Sequence, residues 1–247
     1  MLLRNAKRIC YISLGLILML VSTMDSTTTL SCINCNKAVQ DALYNTEFLP
    51  NLFKIISGFL VLGIIVMVFS YFSFKHYKKR SSLNPDKLFL NPVPLTTTSI
   101  ILGIGIGGFI DGIFLHQILQ WHGMVSNKLP IDTIVGKSVN MFWDGIFHVV
   151  TLLAVVVGIA SLVRLLKRKN INPSPRLVWG GLFAGWGIFN LVEGLIHHHL
   201  LKFHNVNEFS MQQDLWNYGF LASGVLCIAI GFVFIYNRFY YTTRLEE

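Results

Sequence analysis

The sequence TSIILGIGIGGFIDGIFLHQILQW, residues 98–121, is apolar for long enough to cross a bilayer, yet it contains an acid, Asp111, and a histidine, His116. About 20 apolar residues span the hydrocarbon core as a helix, because each residue adds about 1.5 Å. A helix also satisfies its own backbone hydrogen bonds, which lipid cannot do. The stretch therefore predicts a membrane-spanning helix that carries ionisable side chains.

The composition of the whole chain is that of a membrane protein. Of the 247 residues, 53% are apolar and 13% are charged, and the mean hydropathy is +0.57. Soluble domains carry about 25% charged residues, so this chain has too few polar side chains to cover a water-facing surface. A disordered chain, a nucleic-acid-binding tail and most soluble enzymes are thereby excluded.

Five other apolar runs divide the chain. Residues 9–21 follow Arg4, Lys7 and Arg8, and this short run is typical of a secretory signal. The remaining runs are long enough to span the membrane and cover residues 52–74, 141–163, 177–200 and 215–236. The sequence therefore predicts an all-α polytopic integral membrane protein. In it, an antiparallel four-helix transmembrane bundle follows one further span and an N-terminal signal peptide or signal anchor.

Lysine and arginine residues predict the orientation. With the N-terminus inside, 15 of the 20 fall in the inner segments, as the positive-inside rule requires. Both termini are then cytoplasmic if the signal is uncleaved. The basic runs flank the bilayer, so the expected partners are lipid and other membrane proteins, and no nucleic acid. The expected segments are a signal peptide or anchor (1–26), an exoplasmic segment (27–51), a transmembrane helix (52–74), a cytoplasmic linker (75–96) and a four-helix membrane domain (97–247).

One short pattern recurs in three consecutive spans: an acid, a glycine, a few apolar residues and a histidine. A charge at the bilayer centre costs roughly 2.5–3.5 kcal/mol, so such residues are functional candidates. The three pairs are Asp111/His116, Asp144/His148 and Glu193/His197.

The spacing within each pair predicts which side chains share a helix face. The second and third pairs are four residues apart, so each lies on one face of an α-helix. Asp111 and His116 are five residues apart. Their helix therefore either shows two polar faces or contains a π-bulge, a feature that occurs mostly at functional sites.

The depth of these residues predicts an outward-facing metal site. His116, His148 and His197 lie in one layer below the outer interface, and neutral imidazoles bind Zn, Cu or Fe. Carboxylates serve as further ligands or fix the histidine tautomers. At the outer rim lie His122, His198, His199, His204 and Asp214. The full set of candidate metal residues is Asp111, His116, His122, Asp144, His148, Glu193, His197, His198, His204 and Asp214.

Four functions fit this pattern. The preferred one is metal handling or metalloenzyme maturation at the outer face, with His116, His148 and either His197 or His198 as ligands. The second is a membrane metallohydrolase in which zinc activates water and Glu193 or Asp111 is the base. The third is electron transfer by haem b held between two histidines. The fourth is a structural or proton-conducting polar core without a cofactor.

The cysteines give a separate signal. Cys32 and Cys35 form a C-x-x-C in the predicted exoplasmic segment, where they suit a disulfide, a redox pair or half of a soft-metal site. Cys10 and Cys227 lie in apolar runs and are expected to pack there.

The region 103–234 resembles the bacterial predicted integral membrane proteins catalogued as domain of unknown function 2243. The motifs that carry the resemblance are GGFIDG at 107–112, HQILQWH at 116–122, WDGIFH at 143–148 and GWGIFNLVEG at 185–194. His198, His199, His204 and Asp214 match further polar positions of that pattern. The resemblance implies a four-span domain in a bacterial cytoplasmic membrane and brings no settled activity, substrate or cofactor.

Overall fold

The computed structural model describes residues 36–44, 48–83, 90–165, 167–168 and 171–236. The predicted signal and the cysteines Cys10, Cys32 and Cys35 lie outside these ranges. The described part is helical and contains no β-strand. Its α-helices are α1 (Lys37–Tyr44), α2 (Phe48–Leu83), α3 (Val93–Ile110), α4 (Ile134–Leu165), α5 (Pro175–Glu193) and α6 (Gln213–Tyr236). Two π-helices, π1 (Asp111–Ile118) and π2 (Gly194–Leu200), continue α3 and α5 directly.

Among the described helices, four are long and apolar enough to cross a membrane: α2, α3 with π1, α4 and α6. They confirm the predicted all-α polytopic membrane protein. The predicted span at 177–200 corresponds to α5 and π2, which fall outside this set of four. This helix is rich in glycine and contains Asn190 and Glu193. About half of α5 is buried, so its neighbours shield it and it needs less apolar surface than a lipid-facing helix.

Helix α2 is longer than the predicted span at 52–74. It begins at Phe48 and continues to Leu83, so the first part of the predicted linker at 75–96 is helical. Four of the nine residues in this extension are lysine or arginine, and both are good helix formers. Their long side chains also allow the charged ends to reach the aqueous interface.

Helices α3 and α5 occupy the centre of the membrane domain. The principal contacts run in the order α4, α3, α5, α6, and α2 packs against α3 and α5. Helices α3 and α5 lie close together because a glycine of each helix faces the backbone of the other. A Cβ atom on Gly103 would collide with the carbonyl oxygen of Leu182, and one on Gly185 would collide with that of Ile100. Small residues are the usual means of bringing membrane helices together.

These reciprocal contacts belong to an internal repeat that relates residues 91–165 to 172–236. Both halves begin with Asn-Pro-x-Pro, and in each the asparagine Oδ1 accepts the N–H two residues on, at 3.0 Å and 3.1 Å. Gly103 and Gly185 are 82 positions apart, and so are Leu182 and Ile100. Each half contains two antiparallel helices, and the two halves have the same orientation in the membrane. They are therefore related by an axis that runs along the helices.

Candidate metal centre

The π-helix π1 brings Asp111 and His116 together. Its bonds join residues five apart, so side chains at that spacing are neighbours. The Nε2 atom of His116 lies 3.3 Å from Asp111 Oδ2, and both side chains are buried. The N–H of Leu119 donates to the carbonyl of Phe114 at 2.8 Å and closes the last wide turn. Of the two predicted alternatives for this helix, the structure therefore contains the π-bulge.

The chain reverses directly after π1 and returns His122 to the same place. Gln120 has a φ of 51°, a left-handed conformation that is uncommon for a residue other than glycine. Two residues later, His122 is 1% exposed, and its Nε2 lies 2.9 Å from Nε2 of His116. The sequence had placed His122 at the outer rim, because an uninterrupted α-helix would carry it there.

The same reversal follows π2 in the second half. Lys202 has a φ of 48°, and His204, two residues later, is fully buried. The imidazole of His204 stacks on that of His122, with ring centroids 4.6 Å apart and planes 4° apart. The two returning histidines therefore meet face to face between the halves.

Backbone carbonyls fix the tautomers of both stacked rings. His122 donates from Nδ1 to the carbonyl of Val206 at 2.8 Å, and His204 donates from Nδ1 to the carbonyl of Met124 at 3.1 Å. Val206 and Met124 are 82 positions apart, so the two bonds are equivalent in the repeat. A carbonyl only accepts hydrogen bonds, so each Nδ1 carries the hydrogen and each neutral ring keeps a lone pair on Nε2.

A carboxylate fixes the tautomer of the third ring. His116 donates from Nδ1 to Asp144 Oδ1 at 2.8 Å, and the same oxygen accepts the N–H of Met124 at 2.9 Å. When neutral, His116 therefore also presents a bare Nε2. Burial lowers the pKa of His122 well below its usual value, and neighbouring histidines lower it further, so His122 is neutral.

Two groups of residues have ligand atoms close enough to hold a metal ion. Within each group, every ligand atom lies within 4.8 Å of the others, and every member is buried. The two groups are His116/His122/His204 and Glu193/His198/His204. Together, their five residues form the histidine cluster.

Glu193 is oriented by a histidine outside both groups. His197 donates from Nδ1 to Glu193 Oε2 at 2.6 Å. The other carboxylate oxygen, Oε1, then lies 3.5 Å from His204 Nε2. The ring of His197 packs on Gly58 of α2, where an added Cβ would approach the ring within 2.6 Å. His197 therefore supports Glu193 from the side opposite to the cluster.

Two of the candidate residues, His148 and Asp214, and the rim histidine His199 belong to neither group. His148 donates from Nδ1 to the carbonyl of Asp144 in its own helix at 2.7 Å. His199 likewise donates to the carbonyl of Gly194 at 2.7 Å. Asp214 is exposed in the first turn of α6. Cys32 and Cys35 lie outside the described residues.

The sequence also contains supporting residues that were not predicted. In the second half, Asn217 takes the place of Asp144, and its Oδ1 accepts the N–H of Val206 at 2.9 Å. Trp-Asp at 143–144 and Trp-Asn at 216–217, 73 positions apart, are the signal that could have found this residue. The ligands themselves repeat at a different spacing. When the chain is aligned with itself at 82 positions, Asp111 matches Glu193, and two histidine pairs match as well. These pairs are His116 with His198 and His122 with His204.

A cavity of about 540 Å³ leads to the cluster. Its walls include His116, His122 and Asp144, together with Lys137 and Asn140 at the start of α4. Both apolar and polar groups line it, which suits a small molecule better than bulk solvent. Two of the clustered histidines therefore line the cavity.

Comparison with curated proteins and with solved structures finds no match. A family model described as "Predicted membrane protein (DUF2243)" matches residues 98–238, which include both π-helices and all of the clustered histidines. Since the match covers more than half of the 247 residues, the chain belongs to this family of membrane proteins.

Proposed function

We propose that this integral membrane protein binds a divalent transition metal at the outer face of the membrane, with Nε2 of His116, His122 and His204 as ligands. One observation carries the proposal. All three rings use Nδ1 to donate to a fixed acceptor, which leaves Nε2 free to ligate, and one ligand atom of each ring lies within 4.8 Å of the others. Metal-ligating histidines almost always show this arrangement, because the second nitrogen must be oriented by a carboxylate or carbonyl.

The short contact between two of these nitrogens supports a cation. With both Nδ1 hydrogens committed elsewhere, the Nε2 atoms of His116 and His122 lie 2.9 Å apart, a distance that needs a proton or a metal ion between the two lone pairs. Without either one the lone pairs would repel, and burial removes the water that would screen them. A metal ion bound to both nitrogens turns the repulsion into two bonds. The nearby carboxylates of Asp111 and Glu193 supply negative charge to balance the ion.

The same geometry disfavours haem b among these histidines. A porphyrin ring must lie between its two axial imidazoles, whereas the Nε2 atoms of His116 and His122 are only 2.9 Å apart. Imidazole ligands with carboxylates nearby suit Zn, Cu or Fe instead, for metal handling or metalloenzyme maturation.

The cavity favours a second candidate function, metal-dependent hydrolysis. It reaches His116 and His122 and so offers space for water and a substrate at an open metal position. A metal-bound water loses a proton near neutral pH and becomes a nucleophile. Hydrolysis of an ester or amide lipid that disappears in His122→Ala, and persists in Asp214→Ala, would establish this activity. Metal binding without any such turnover favours the handling function.

The metal content of the purified protein tests the proposal. We expect full-length protein, purified in detergent without chelators from cells grown with Zn, Cu and Fe, to contain bound metal by mass spectrometry and to show no Soret band. His122→Ala and His204→Ala should each lose most of it. His148→Ala is the matched control, because it removes an imidazole from the same membrane domain outside the cluster. Metal-free wild-type protein, or loss in His148→Ala alone, would contradict the proposed ligands.

A further inference from the structure

From the internal repeat we infer that the centre holds two metal ions, one bound by each half through two histidines and one carboxylate. This inference rests on the proposed metal binding, and it replaces His204 by Asp111 as the third ligand of the ion on His116 and His122. The first half supplies Asp111, His116 and His122. The second half supplies Glu193, His198 and His204, again one acid followed by two histidines at the same spacing.

Each set is assembled by the same backbone devices. In both halves the acid stands at the start of the π-helix, and a histidine five residues on shares its side. A left-handed residue then turns the chain, and the second histidine returns. In the second half, all three ligand atoms lie within 4.8 Å of one another. In the first, His116 Nε2 is 3.3 Å from Asp111 and 2.9 Å from His122, and it is His204, not Asp111, whose ligand atom lies within 4.8 Å of both histidines.

Buried polar atoms of Asp111, Glu193 and His198 lack a hydrogen bond within the described part of the chain, and a second ion would give each of these residues a partner. Both nitrogens of His198, both carboxylate oxygens of Asp111, and Glu193 Oε1 make no hydrogen bond with any other described residue. All three residues are at most 4% exposed. An unsatisfied buried polar group costs about 1–3 kcal/mol, and more when charged. An ion on His116, His122 and His204 alone leaves His198 and Asp111 in this state, whereas a second ion gives them ligand roles.

The donor set indicates the class of metal. Two imidazoles and one carboxylate with open positions form the ligand set of non-haem iron(II) sites and of several zinc enzymes. Helical membrane and soluble bundles that hold two such ions draw their ligands from facing helices. Here His122 of one half stacks on His204 of the other, so the two ligand sets meet where the halves join.

The halves differ at one supporting residue, and the two ions should therefore differ in affinity. His116 donates to the carboxylate of Asp144. The matching residue in the second half is Asn217, and His198 has no hydrogen bond to a described residue. A carboxylate partner raises the basicity of a ligating imidazole. The ion in the first half should bind more tightly.

A titration with Co²⁺ tests the inference. Full-length protein in detergent, stripped of metal with a chelator, should bind two Co²⁺ per chain, measured by visible absorption and mass spectrometry. His198→Ala should lower the ratio to one, and His198→Ala with His116→Ala to near zero. His199→Ala is the matched control, because it removes the neighbouring imidazole and should leave the ratio at two.

The outcomes separate this inference from the proposed function. One Co²⁺ in wild-type protein, kept in His198→Ala and lost in His122→Ala, overturns the second ion and leaves single-metal binding standing. No Co²⁺ in wild-type protein that remains monodisperse overturns both. Because the wild-type ratio alone decides between two, one and none, the test does not depend on any variant folding.

Discussion

At the scale of single residues, the position of the clustered histidines depends on two left-handed residues and on one carboxylate. Gln120 and Lys202 turn the chain so that His122 and His204 come back to the π-helices. Asp144 then fixes His116 and, through the N–H of Met124, the loop between π1 and α4. None of these three residues needs to touch a metal to determine where the ligands lie.

Substitution of Asp144 should weaken metal binding without unfolding the site. In Asp144→Asn, the side-chain oxygen still accepts from His116 and Met124, but the negative charge is lost. Removal of such a supporting carboxylate typically lowers metal affinity about 10–100-fold. Competition with a chromophoric chelator measures the change. The matched control is Asp214→Asn at an exposed position, and equal affinity in both variants would contradict the role assigned to Asp144.

Substitution of Lys202 should change stability according to its backbone conformation. A left-handed residue other than glycine costs about 1–2 kcal/mol. We expect Lys202→Gly to keep its metal and to gain up to about 1 kcal/mol, since glycine adopts positive φ freely but loses more entropy on folding. Lys202→Val should lose about 1–3 kcal/mol, because a β-branched side chain fits this region poorly.

Thermal unfolding in detergent, followed together with metal content, checks this prediction. Gln212→Val is a suitable control, since Gln212 is an exposed residue of the same outer loop and its φ is negative. If Lys202→Val and Gln212→Val unfold at the same temperature, the left-handed turn does not determine stability.

At the scale of the helices, the sequence predicted the spans and the ionisable residues, and it predicted one of the two π-helices as an alternative. The five-residue spacing of Asp111 and His116 indicated that alternative. In the second half, the run of three histidines concealed the same spacing. Because α-helical spacing joins Glu193 to His197, it favoured that residue, whereas in π2 the ligand atom of His198 lies within 4.8 Å of Glu193. The return of His122 and His204 could not be predicted, because glutamine and lysine do not mark a left-handed turn.

The glycine contacts between α3 and α5 should be equivalent in the two halves. Gly103→Ala and Gly185→Ala each place a methyl group against backbone of the other helix. Overpacking of this kind typically costs about 1–3 kcal/mol. We expect similar losses in thermal stability from both substitutions, because the contacts are reciprocal. Gly145→Ala is the matched control, since nothing lies within 4 Å of its added Cβ. A loss confined to one of the two central glycines would contradict an equal role for the halves.

At the scale of the whole molecule, hydropathy alone identified a polytopic helical membrane protein, but it did not predict the order of the helices. The central position of α5 follows from its glycines, which allow close approach on two sides. That burial also explains why α5 is less apolar than the helices that face lipid. Packing of α2 against both α3 and α5 could not be predicted either, because its apolar residues surround the helix without a polar face.

The distribution of positive charge predicts the orientation of the molecule. If the site faces outward, Asn127→Cys in the loop after π1 should react with a membrane-impermeant maleimide in intact cells, whereas Lys167→Cys after α4 should react only after permeabilisation. The four native cysteines are first replaced by serine so that only the introduced thiol reacts. The opposite labelling pattern would place the histidine cluster on the cytoplasmic side.

The position of the two π-helices has a consequence for the history of the protein. A π turn is what an α-helix becomes when one extra residue is accommodated without breaking it. Both halves carry the wide turn at matching places, beginning at Asp111 in one and at Gly194 in the other. The simplest account of the pair is a single insertion inherited by both halves. On that account, an ancestor with a single half would have completed the same pocket by pairing with a second copy of itself.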